Sequence, residues 1–149
     1  MKIEDVLVTN KFDSEYHKVA LNIIYTSNFI QSLLKERTDE EKITLQQYNV
    51  LRILRGQNAK PATVNMLKER LLDRMSDVSR IVDRLVQKKL VSRCTSNKDR
   101  RAVDIFITQE GLDILARLDK KMSILTILDE NLEEEECKQL NYLLDKLRG

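Results

Sequence analysis

The most constraining feature of this sequence is a change in the spacing of its apolar residues between positions 63 and 108. Up to Leu85 these residues recur at the three- or four-residue spacing that is typical of helices. Further on, Val103, Ile105 and Ile107 alternate with other side chains, as in a β-strand. A chain that changes period within so few residues is expected to fold as helices followed by a small β-hairpin.

Two short helices joined by a turn are predicted before the hairpin. Thr63 and Ser76 are their candidate N-caps, because a hydroxyl oxygen accepts hydrogen bonds from the free N–H groups at a helix start. The connecting residues, 72–75, have the length expected of a helix-turn-helix. The apolar face of the second helix consists of Val78, Ile81, Val82 and Leu85.

The rest of the chain is predicted to be helical, because only three Gly and one Pro occur among its 149 residues. We expect a short arm over residues 1–12, which show no clear periodicity, and a polar link at residues 37–42. Helices are expected after Asp13 or Ser14, after a capping box of Thr44 and Gln47, after Thr108, and near residues 132–147. The predicted fold class is mainly α with a small β-hairpin wing, with about six helices in a single domain over residues 1–149.

Charge is distributed unevenly along the chain. The net charge is only +2, but residues 68–101 contain eleven basic and five acidic residues, which leaves +6 in that segment. Residues 129–136 contain six acidic residues and no basic one. The basic segment coincides with the predicted helix-turn-helix and hairpin, and such a segment is suited to binding phosphate groups.

Several other function classes are disfavoured by the composition. Cys94, Cys137 and the single His17 lack metal-ligand spacing, and no nucleophile–base pair or Gly-rich phosphate loop is present, so we expect no metal, no cofactor and no enzyme activity. No apolar run approaches the ~20 residues of a membrane span, and no signal-peptide pattern occurs. We therefore expect a cytoplasmic protein without a membrane partner.

The second helix of the pair has the features of a DNA reader. One face is apolar, and the other carries short polar and basic side chains near the N-terminus, where a recognition helix contacts base edges. Arg80 is the first candidate for a base contact, because its planar guanidinium can bond O6 and N7 of guanine together. The candidate recognition-helix contacts are Ser76, Asp77, Ser79, Arg80 and Arg84.

The hairpin tip is a second candidate DNA contact. Asp99 and Arg101 are two residues apart, so in an extended arm they project to one side, and the carboxylate can hold the guanidinium in place. A positioned arginine suits a narrow A·T-rich minor groove, while Lys98 and Arg100 would contact the backbone. Further backbone candidates are Thr63, Arg74 and Arg93.

These segments resemble the MarR family of bacterial regulators. Residues 99–111 are similar to its wing signature, an Asp-x-Arg followed by a strand that ends in Thr-x-x-Gly, and residues 79–85 and 44–51 resemble its recognition helix and the start of its second helix. The resemblance covers residues 14–148. It implies a winged-helix DNA-binding lobe at residues 44–111 and a homodimer through helices at residues 13–36 and 112–148.

The resemblance also implies a function. A dimer of this family reads a pseudo-palindromic operator, with recognition helices in successive major grooves and wings in the flanking minor grooves, and it acts as a repressor that a small ligand or oxidation releases. Tyr25, Phe29 and Tyr48 are candidate residues of a ligand pocket, with core packing as the alternative. The family usually has Gly at the position of Lys89, so we expect Lys89 to adopt a left-handed conformation.

Two alternatives stay open at this stage. The chain could be a winged-helix protein–protein adaptor that does not read DNA, although the basic residues at the wing tip argue against it. It could also be a redox-sensing regulator that acts through Cys94, since the neighbouring Arg93 favours thiol reactivity.

Overall fold

The computed structural model of the protein describes residues 1–9, 11–73, 75–95, 103–121 and 130–149. The two strands pair antiparallel, with Val91 opposite Ile107 and Thr95 opposite Val103. The predicted fold class, mainly helical with one small β-hairpin, is confirmed. In chain order the elements are α1 (Ile3–Leu7), α2 (Glu15–Glu40), α3 (Leu45–Arg55), α4 (Val64–Arg70), α5 (Val78–Gln87), β1 (Val91–Thr95), β2 (Val103–Ile107), α6 (Gln109–Lys121) and α7 (Glu134–Arg148).

Helix α3 is the centre of the hydrophobic core and packs against α2, α4, α5, α6 and β2. The strand β2 is also tied to the loop before α4, because Ala62 N–H donates to the Ile105 carbonyl (3.0 Å) and Ile105 N–H donates to the Ala62 carbonyl (2.9 Å). The helix-turn-helix and the hairpin therefore share one core. Its fully buried large side chains include Leu51, Leu54, Leu67, Leu85, Ile105, Leu115 and Leu118.

The predicted helix starts are reproduced with one exception. Thr44 and Gln47 form the expected reciprocal capping box of α3, Thr63 accepts from Met66 N–H at the start of α4, and Ser14 caps α2. Helix α5 is different, because its N-cap is Asp77, whose carboxylate accepts from Arg80 N–H at 3.1 Å. The prediction of Ser76 as that cap was therefore wrong by one residue.

The N-terminal third differs from the sequence expectation in two further places. The arm over residues 1–12 contains the short helix α1, which is held to α2 by burial of Ile3 and by an ion pair between Glu4 and Lys18. The link expected at residues 37–42 is largely helical, because α2 continues to Glu40. Thr38 explains this continuation, since it is fully buried and its hydroxyl donates to the Lys35 carbonyl at 3.0 Å.

A tight junction joins the end of α5, the start of β1 and the start of α6. Lys89 has the left-handed conformation expected for it, with φ of 61°. The Thr108 hydroxyl donates to the Lys89 carbonyl at 2.8 Å, and Thr108 N–H donates to the Leu90 carbonyl at 3.1 Å. Gly111 lies against the same carbonyl, so that an added Cβ would be only 2.4 Å from the Leu90 oxygen. The first turn of α6 is thus fixed directly to the base of the hairpin.

Farther along, α6 is ion-paired to two other helices. Arg117 forms a bidentate pair with Glu41 at the end of α2, at 2.8–3.1 Å. Arg55 on α3 pairs with Asp119. These pairs are partly exposed, so each contributes little to stability, and α6 is held mainly by its packing against α3, with Leu115 and Leu118 buried in the core.

The outer helices α2 and α7 expose apolar side chains to solvent. These residues include Val19, Ile24, Tyr25, Phe29, Leu140, Leu143 and Leu147.

None of the helices in the described part of the chain is both long and apolar enough to cross a bilayer.

Candidate nucleic-acid interface

Helix α5 has one buried face and one open face. Val78, Val82 and Leu85 are buried in the core, and Ile81 packs partly against it. Ser79, Arg80 and Arg84 lie on the other side and are exposed. The core side holds the helix in place, and the open side presents two guanidinium groups to solvent.

The polar side chains just before α5 are engaged within the protein. The Ser76 hydroxyl donates to Asp73 Oδ2 at 2.7 Å, while Asp77 caps the helix. Met75 N–H donates to Asp73 Oδ1 at 3.0 Å. Because the ionised carboxylate of Asp73 accepts these hydrogen bonds, from Ser76 above all, its pKa is lowered from the usual value of 3.8. Ser76 and Asp77 thus stabilise the turn, and each already uses part of its hydrogen-bonding capacity within the protein.

An open pocket of about 310 Å³ separates the first turn of α3 from α5. Its walls combine neutral polar groups from α3 with the arginines of α5, so that the open face of α5 continues into a polar recess. The lining residues are Thr44, Gln46, Gln47, Ser76, Asp77, Arg80, Ile81 and Arg84.

Two of the residues predicted to contact the DNA backbone have partners within the protein. Arg93 on β1 is ion-paired with Asp83 on α5, which links the strand to the helix. Thr63 is exposed, but its hydroxyl caps α4. The remaining predicted contacts, Arg74 and the tip residues Lys98, Asp99, Arg100 and Arg101, lie outside the described residues.

The three candidate pocket aromatics are in different environments. Tyr48 is buried in the core of α3, with the Arg52 guanidinium 5.7 Å from its ring centroid. Tyr25 and Phe29 on α2 are 38% and 47% exposed. These three residues do not line the pocket beside α5.

Cys94, the candidate redox residue, is a free, exposed thiol on β1.

Two apolar residues beside α5 were missed by the sequence analysis. Leu72 and Met75 lie in the turn between α4 and α5 and are 91% and 93% exposed. The available signal was the presence of large apolar residues in a segment already predicted to be a turn.

Comparison with known proteins supports the helix-turn-helix interpretation. The sequence profile of the MarR family matches residues 42–102. The chain is 31% identical over 119 residues to the HTH-type transcriptional repressor MdtR of Bacillus subtilis (strain 168), an alignment that covers 79% of this chain and 76% of MdtR.

Solved structures share the same fold. A mutant MarR from E. coli complexed with operator DNA superposes with a TM-score of 0.77 at 26% identity, covering 93% of this chain and 99% of that one. BpsR of Bordetella bronchiseptica, whose DNA binding is regulated by 6-hydroxynicotinic acid, has a TM-score of 0.72 at 21% identity, covering 89% of this chain and 99% of BpsR. The similarity to BpsR, at 21% identity, shows a shared fold only.

Proposed function

This chain belongs to the MarR family of transcription regulators, and on that premise we propose that it is a homodimeric repressor that binds a pseudo-palindromic DNA operator and is released by a small ligand. The observation that carries the proposal is the two-sided helix α5. Its apolar face is fixed in the core while Ser79, Arg80 and Arg84 face solvent. A helix held in this way can enter the major groove as one rigid element.

Homodimer formation is supported by the outer helices. Val19, Ile24 and Phe29 on α2, and Leu143 and Leu147 on α7, are each at least 45% exposed. Apolar surface of this extent on two long helices is typical of a surface that a partner covers. A second copy of the chain is the proposed partner, and a two-fold dimer places two α5 helices on a two-fold-symmetric operator.

The repressor role and the releasing ligand are proposed from relatives. MdtR, the 31% identical relative, is named as a repressor. The fold shared with BpsR supports the ligand part of the proposal. Tyr25 and Phe29 are the candidate ligand contacts, because both are aromatic and partly open to solvent on a helix that is proposed to form the dimer.

The test is selection of duplexes from a random pool, followed by titration of the selected operator with wild-type protein and two variants. Arg80→Ala is expected to cost about 1–3 kcal/mol of binding free energy and to relax the base preference at one position. Arg37→Ala is the control, because Arg37 is also exposed but lies on α2. Sequence-specific binding that survives Arg80→Ala with unchanged base preference would remove Arg80 from the proposed interface, and absence of any selected sequence would favour an adaptor.

A further inference from the structure

We propose that Met75, with Leu72 beside it, reads thymine by contacting the C5 methyl groups of the operator in the major groove; this inference rests on the DNA-binding function proposed above. Specificity at the start of α5 would then come from apolar contacts, in addition to the hydrogen bonds of Arg80.

Leu72 and Met75 do not pack on their own domain. They are 91% and 93% exposed, although the neighbouring Leu71 and Val78 are buried at 5% and 1%. Single exposed apolar residues need no explanation, but here two large ones are almost fully exposed within four positions of one turn. This turn immediately precedes the helix that is proposed to enter the groove.

The turn that carries Met75 is held in place. Asp73 accepts from both Met75 N–H (3.0 Å) and the Ser76 hydroxyl (2.7 Å), and Asp77 then caps α5. These bonds fix the backbone at Met75 and engage the short polar side chains around it. Among residues 72, 73, 75 and 76 of the turn, the side chains without such bonds are therefore the apolar pair, Leu72 and Met75.

The chemistry of the major groove identifies the contact. Arg80 and Arg84 on the open face of α5 favour phosphate-rich nucleic acid over an apolar protein surface. Within the major groove, the thymine C5 methyl group is the apolar feature that distinguishes one base pair from another. The unbranched thioether side chain of Met75 can adapt its shape to such a methyl group.

The test replaces thymine by deoxyuridine, one position at a time, in the selected operator. This substitution removes the methyl group and keeps the base-pairing edge. For wild-type protein, deoxyuridine at the contacted position is expected to weaken binding about fourfold, which corresponds to the burial of one methyl group. For Met75→Ala the same replacement is expected to have an effect close to onefold, because the partner of the methyl group is gone.

Val8→Ala is the matched control. Val8 is 90% exposed, like Met75, but lies at the end of α1, so the fourfold effect of deoxyuridine should persist in this variant. If wild-type protein and Met75→Ala respond equally to deoxyuridine at every position of a selected operator, the reading of thymine by Met75 is refuted while DNA binding stands. If wild-type protein selects no sequence at all, both proposals fail together.

Discussion

Replacement of Gly111 by alanine tests the junction between α6 and the hairpin. A Cβ at this position would be 2.4 Å from the Leu90 carbonyl oxygen and 2.8 Å from Ile107 Cγ1. The first separation has to grow to the 3.4 Å of ordinary contact, which requires the backbone of α6 or of the α5–β1 turn to move. The same Leu90 carbonyl accepts from Thr108 N–H, so the shift caused by the alanine would strain that hydrogen bond as well.

Two effects of opposite sign determine the magnitude. In an unhindered helix, alanine is more favourable than glycine by about 0.8–1.0 kcal/mol. Overpacking against a close-packed neighbour typically costs about 1–3 kcal/mol, and here the neighbour is a backbone atom that cannot rotate away. Because this neighbour cannot give way, we expect a cost in the upper part of that range; the gain from alanine offsets about 1 kcal/mol of it, so Gly111→Ala should lower the free energy of unfolding by about 1–2 kcal/mol.

The assay is urea denaturation at one fixed protein concentration, since association of copies makes apparent stability concentration-dependent. Gly56→Ala is the matched control. Gly56 has φ of −65°, and a Cβ there would meet atoms no closer than 3.4 Å, so alanine is expected to stabilise by about 0.4–1 kcal/mol. Equal stability of Gly111→Ala and wild type would refute the reasoning, because the sign of the effect depends on the close contact.

Three further predictions concern individual side chains. Thr44→Ala removes the hydroxyl that accepts from Gln47 N–H, while the backbone N–H at position 44 still donates to Gln47 Oε1, and it should lower the unfolding free energy by about 0.5–2 kcal/mol; an equal loss in Thr9→Ala, whose hydroxyl takes part in no helix N-cap, would contradict the assignment. The Asp73 carboxyl should titrate below the ordinary aspartate pKa of 3.8, because its ionised form accepts hydrogen bonds from Ser76 and Met75. Its stabilisation of the turn is therefore present above pH 3.8 and is lost as the pH falls through the lowered pKa. NMR of the carboxyl and of the Met75 amide can follow this titration, and a pKa at or above 3.8 would contradict the hydrogen bonds. Arg93→Ala should leave the salt dependence of DNA binding nearly unchanged, because Arg93 is paired with Asp83. Loss of an arginine that contacts a phosphate instead reduces the magnitude of the slope of log K against log salt by about 0.9. A reduction of that size for Arg93→Ala would place Arg93 on the DNA backbone.

Local signals in the sequence predicted local structure well. The caps at Ser14, Thr44 and Thr63 depend on residues within three positions, and the pattern contains all of that information. The left-handed conformation of Lys89 was also predicted, from the glycine that the family usually has there. The cap of α5 was misplaced by one residue because Ser76 and Asp77 are both competent, and the hydrogen bond from Ser76 to Asp73 decides between them.

The features that depend on distant residues were not predictable in the same way. Helix α1 is too short to show a period, and it is stabilised by its contact with α2 through Ile3 and Lys18. The helical residues before Glu40 appeared polar in sequence, yet burial of Thr38 continues the helix. In the candidate interface, the ion pair between Arg93 and Asp83 was not predicted, because only the fold places these two residues side by side.

The Leu90 carbonyl is contacted by both Thr108 and Gly111, and this has a consequence for how the proposed DNA-sequence preference can change. The helix α5, the strand β1 and the first turn of α6 meet at this one peptide group, through the contacts of Thr108 and Gly111. Exchanges on the open side of α5 can alter which bases are preferred without disturbing this meeting point. On the proposed function, in which helix and hairpin both contact DNA, a change in the spacing between their contacts would require this junction to change, so base preference and contact spacing can evolve separately.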